Sequence, residues 1–229
     1  MFASPETAGT TSPSRATMPI AVVLILWLAL VLLLGAKGAF AGPPGAPPLP
    51  LLAGFLTPLI AFTAAYWAIG SFRDFVLSLD LRFVAGIQAW RFAGLEFLAL
   101  SAHGVLPGFF AWPAGLGDMA IGITAPWVIL ALIRRPSFAS SSLFVVWNLL
   151  GILDLVDAMS LGAVGSILTT GGAGAVTTAP MAQLPLLLIP AYFVPVFFML
   201  HFAALLQARQ RQVAERTLAQ PARESHIAA

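Results

Sequence analysis

The chain has 229 residues, 59% of them hydrophobic and 9% charged, with a net charge of +2 and no cysteine. A soluble domain carries about 25% charged residues, so this composition excludes one and points to a single integral membrane domain. Without cysteine there are no disulfides, thiolate nucleophiles or Cys-ligated clusters, and the basic residues form no stripe that would bind nucleic acid.

Taken in chain order, residues 1–17 are rich in Ser, Thr, Pro and Ala and predict a disordered tail. Met18 to Gly35 is an apolar run long enough to cross a bilayer core of about 30 Å. Arg15, this run and Ala39-Phe40-Ala41 also fit a cleaved secretory signal, but the run's length and leucine content favour a retained span. Residues 36–50 contain successive prolines and predict an extended loop. A second span follows from Leu51 to Phe72, kinked at Pro58. Arg73 to Arg82 is too polar to span and reads as a short amphipathic element at the interface.

Further spans are expected at Val84–Val105, Pro113–Ile133, Ser141–Val164 and Leu184–Gln207. Leu106-Pro107-Gly108 turns between the third and fourth, and residues 165–183 form an uncharged Gly/Thr/Ala linker between the fifth and sixth. The fold class is therefore all-α, a polytopic bundle of about six spans over 18–208, with a basic tail at 209–229 continuing the last helix for a turn or two.

Lys and Arg set the orientation. With both termini inside, Arg15, Arg73, Arg82, Arg134, Arg135, Arg209, Arg211, Arg216 and Arg223 lie on the inner side and only Lys37 on the outer. The expectation is a multi-pass protein of a bacterial inner membrane with cytoplasmic termini.

Ionisable groups within spans cost about 2.5–3.5 kcal/mol each on insertion scales, so Arg91, Glu96, His103, Asp118, Asp154, Asp157 and His201, with the polar Asn148, are the candidate site. A helical rise of about 1.5 Å per residue places Arg91, Asn148 and His201 in the inner third. The same ruler puts Glu96 and Asp154 near the middle, and His103, Asp118 and Asp157 in the outer third. Glu96 and His103 share one helix face, as do Asp154 and Asp157.

Three functions compete for these groups. The first is binding or translocation of a small ion or polar solute, with Pro58, Pro190 and Pro195 supplying broken helices and a homo-oligomer making up a small helix count. The second is an embedded hydrolase acting on lipid, in which His103, Asp118, Asp154 and Asp157 hold a divalent metal, although His-Glu-x-x-His and Gly-x-Ser-x-Gly are absent. No other cofactor is expected, since His103 and His201 differ in depth by roughly 20 Å and cannot share a haem iron. The third is a structural or assembly subunit in which the polar groups pair off completely. Gly115-Leu116-Gly117-Asp118 reads as a helix start rather than a phosphate loop, and Trp112 and Trp147 as packing residues.

The runs AWRFAGLEFLALSAHGVLPGFFAWPAGLGDMAIGITAP, VVWNLLGILDLVDAMSLG and LPLLLIPAYFVPVFFMLHFAALLQ resemble an uncharacterised family of small bacterial six-span membrane proteins. The resemblance covers residues 18–208. It implies the fold and carries no activity, cofactor or catalytic residue.

Overall fold

The computed structural model describes residues 17–43, 45–168 and 175–227, and side chains within 18–217 of these. The expected disordered tail and part of the 165–183 linker lie outside the described residues. The described chain is helical, with no strand: α1 (Thr17–Ala36), α2 (Leu49–Ala68), α3 (Gly70–Ser78), α4 (Leu81–Gln88), α5 (Leu95–Ala102), α6 (Gly108–Arg134), α7 (Ser142–Leu168) and α8 (Val194–Ile227). Six stretches are long and apolar enough to cross a membrane, and α4, a 3-10 segment at Ala89–Gly94 and α5 together make the third.

The ends differ from expectation in ways that matter for depth. α6 begins at Gly108 rather than Pro113, and Pro113 lies within its second turn. α2 runs through Pro58 unbroken, and the chain bends instead at the extended Ile69. The interfacial element ends at Ser78, since Asp80 caps a new helix by accepting a 2.8 Å hydrogen bond from the Arg82 amide. α3 buries Val76 and is held to α8 by Gln207 Nε2, which donates to the Val76 and Leu79 carbonyls at 3.1 and 3.0 Å. α8 continues to Ile227, well past the expected turn or two, and Gln212 Nε2 donates to the Ser140 carbonyl at 2.8 Å.

Small residues decide the packing. Gly115, Asp118 and Gly122 recur at three- and four-residue spacing on one face of α6, which the 3-10 segment crosses at backbone contact. A Cβ on Gly115 would lie 2.8 Å from the Gly94 carbonyl oxygen, and one on Gly122 would lie 2.9 Å from the Arg91 carbonyl carbon. α6 thus occupies the centre, flanked by the third span and α7. α1 is peripheral. It is joined to the bundle by Trp27 against Tyr192 (4.7 Å between ring centroids) and by Gly35 against Leu187.

Candidate functional site

Arg91 projects from the 3-10 segment into the space between α6, α7 and α8, where it is 2% exposed. Its Nε donates to Asp118 Oδ1 at 2.6 Å, and its Nη2 pairs with Asp154 Oδ2. Nη1 donates to the Gly151 carbonyl at 3.3 Å and lies 3.0 Å from His201 Nε2. A planar fork of donors suits several acceptors at once, which a lysine point charge would not do. Beyond it, His201 Nδ1 is 2.9 Å from Asn148 Oδ1, and Asn148 Nδ2 donates to the Phe144 carbonyl at 2.8 Å.

Three of these polar side chains fit because a glycine faces each of them. A Cβ on Gly117 would overlap the Asp154 carboxylate, one on Gly151 would overlap the His201 ring, and one on Gly94 would lie 2.5 Å from Asp118 Cβ. Trp147 closes the far side, edge-on to His201 (5.5 Å between centroids), with its Nε1 donating to Thr124 Oγ1 at 2.8 Å. Gly115 and Gly117 pack closely against their neighbours, as the sequence led us to expect, but they do so in the third turn of α6, and the helix does not start at this run.

The candidate residues divide into two groups. Arg91, Asp118, Asn148, Asp154 and His201 form one connected layer, where three depths were expected. Three features collapse the ruler. A long guanidinium bridges levels, the 3-10 segment rises about 2.0 Å per residue instead of 1.5 Å, and α6 starts earlier. Glu96, His103 and Asp157 are exposed on the bundle surface and take no part in the hydrogen bonds of that layer. The four residues expected to hold a metal do not converge, and no group of three or more His, Asp or Glu among the described residues is placed to do so. Arg91 contacts both carboxylates that such an ion would use.

A cavity of about 440 Å³ reaches the layer from the side of the 36–48 loop and the Thr177–Gln183 segment. Its walls are mostly apolar, including Phe97, Phe110, Leu155 and Met159, and Asp118 is the one ionisable residue among the described lining. Sequence reasoning missed the 3-10 segment, the glycines as seats for polar groups, and Gln88. Gln88 is fully buried, with Nε2 donating to the Phe197 carbonyl at 3.2 Å and Oε1 without a partner among the described residues. Its three-residue spacing from Arg91 was the available signal.

No curated protein and no solved structure matches the chain. Residues 48–209, which exclude α1, match the model of one family, and by this match over more than half its length the chain belongs to the Domain of unknown function (DUF8737) family.

Proposed function

We propose that this protein binds a small cation or hydrogen-bond-donating solute at Asp118, admitted through the cavity. One observation carries the reading: the carboxylate at the foot of the cavity shares a single guanidinium with a second carboxylate, Asp154. One positive charge cannot balance two partly buried negative ones, and a proton or a bound ligand would supply the missing charge. The Lys and Arg distribution supports reading the cavity side as the outer face of the membrane. Translocation would require the layer of Arg91, His201 and Trp147 to open. The π-helical turn at Ile189–Phe193, which lines the cavity, and the 3-10 segment carrying Arg91 are the irregular helices that would move.

The test is thermal unfolding in lipid nanodiscs with a panel of inorganic cations, organic cations and neutral polar solutes. A ligand at 100 times its Kd stabilises by about 2.7 kcal/mol. Some cation should stabilise the wild type and fail to stabilise Gly162→Leu, which fills the cavity without touching the Arg91 layer. Equal stabilisation of both proteins would place the binding elsewhere.

A second reading rests on Glu96 and Asp157, which are exposed on the bundle surface within candidate spans. Carboxylates facing lipid are costly, and a second copy or another subunit would cover them. Crosslinking from cysteines placed beside Asp157 tests it, with monomer only as the outcome that removes it.

A further inference from the structure

Resting on the cavity reading above, we infer that the ligand is an organic monocation, a primary or secondary ammonium carrying a compact apolar body, and not a bare inorganic ion.

The donor set is too poor for a metal cation. Calcium takes six to eight oxygens and magnesium near-octahedral coordination. The cavity offers one carboxylate, whose Oδ1 already accepts from Arg91 Nε at 2.6 Å. The other oxygen-bearing side chains in the lining, Ser166, Thr177, Thr178 and Gln183, are all neutral, and the Ser166 and Thr178 hydroxyls are oriented by donating to the carbonyls of Ala163 and Gly162 at 2.8 and 2.9 Å. An ammonium group needs only a few acceptors, and Asp118 Oδ2 has no hydrogen bond within the protein's described contacts to compete for it.

The rest of the cavity suits hydrocarbon. At about 440 Å³ it falls within the 300–1,000 Å³ typical of small-molecule sites, far more than a dehydrated ion requires. Phe97 and Phe110 line it with rings 5.6 Å apart in an edge-to-face pair, and aromatic faces attract organic cations. The excess carboxylate sets the sign of the charge, and the apolar walls select the body that bears it.

The experiment is calorimetric titration of the nanodisc-embedded protein with adamantan-1-amine, its neutral isostere adamantan-1-ol, sodium and potassium. The amine should bind at least tenfold more tightly than the alcohol. Asp118→Asn should remove that preference, and Gly162→Leu, which retains Asp118 and its ion pair, should abolish binding of both. A Cβ at Gly162 meets only the Phe110 ring, with Cε2 at 3.5 Å and Cδ2 at 3.9 Å, so the second variant has room to fold if the first does not. Equal binding of amine and alcohol would overturn the inference as apolar partitioning. Binding of sodium or potassium without the amine would overturn it while leaving the cation site intact. Binding of none of the four, with the wider solute panel also inert, would remove the cavity reading itself.

Discussion

Arg91 Nη1 and His201 Nε2 are 3.0 Å apart in the interior of the bundle, and a guanidinium can only donate. The imidazole is therefore an acceptor at Nε2, with its proton on Nδ1 directed at Asn148 Oδ1 2.9 Å away. Asn148 then donates from Nδ2 to the Phe144 carbonyl, and the hydrogen bonds run in one direction from Arg91 to the backbone of α7. Nitrogen NMR of the protein labelled at histidine should show His201 as the neutral Nδ1–H tautomer at neutral pH. A doubly protonated ring would mean that Arg91 does not donate to it.

Removing Arg91 leaves two carboxylates in the interior with no counter-charge. Breaking a buried pair by deleting one partner costs about 3–5 kcal/mol. Arg91→Met should lose stability on that scale in unfolding by denaturing detergent, and Arg91→Lys should recover only part of it, because one ammonium cannot reach four acceptors on three helices. Adding Asp154→Asn to Arg91→Met should restore part of the loss, through a coupling of about 0.5–3 kcal/mol. Strictly additive effects would show that the ion pair does not form.

Much of the fold was legible, because membrane spans declare themselves through hydrocarbon length alone. The site was only half legible. Sequence identified Arg91, Asp118, Asp154, Asn148 and His201 from the cost of burying them, but a uniform helical rise separated groups that one long side chain joins. Glu96, His103 and Asp157 were indistinguishable from them by that criterion, since the rotation of each helix depends on which small residues face its neighbours. Gly117 and Gly151 set that rotation, and a glycine in an apolar run gives no sign of whether it seats a carboxylate, an imidazole or nothing.

Glycines in the same bundle should respond oppositely to alanine. At Gly122 the new methyl would lie 2.9 Å from both the Arg91 carbonyl carbon and Phe92 Cα, backbone atoms that no rotamer change can move. Overpacking of this kind costs about 1–3 kcal/mol. At Gly162 the nearest atom is a phenylalanine carbon at 3.5 Å, and replacing a mid-helix glycine by alanine gains about 0.5–1 kcal/mol. Thermal unfolding should show Gly122→Ala well below wild type and Gly162→Ala at or above it. A tolerated Gly122→Ala would refute the backbone contact between α6 and the 3-10 segment.

Asp80 gives the start of α4 a pH dependence with a defined sign. Its carboxylate accepts from the Arg82 amide and from Arg82 Nε and Nη2 at 2.8, 3.0 and 2.6 Å, and the side-chain hydrogen bond holds it below the ordinary aspartate value. A depressed folded-state value means the cap is in place at neutral pH, weakens only below the unfolded value, and is lost as pH falls through the folded one. Amide exchange at Arg82 and Phe83, corrected for intrinsic rates, should stay protected through mildly acidic pH and rise only below the usual aspartate range. Asp80→Ala should show the unprotected rate at every pH, and an exchange profile identical to wild type would remove the cap.

The absence of cysteine makes the orientation directly measurable. Gly42 is exposed beside the cavity mouth, with nothing within 4 Å of a Cβ placed on it, and Ser137 is exposed on the segment that joins α6 to α7. If each candidate span crosses the membrane, these positions fall on opposite sides, because Gly42 follows the first span whereas Ser137 follows the fourth. With basic residues inside, a membrane-impermeant maleimide applied to intact cells should label Gly42→Cys and leave Ser137→Cys unlabelled until the membrane is opened. The reverse pattern would turn the cavity toward the cytoplasm, and the Asp118 site would then draw its ligand from within the cell.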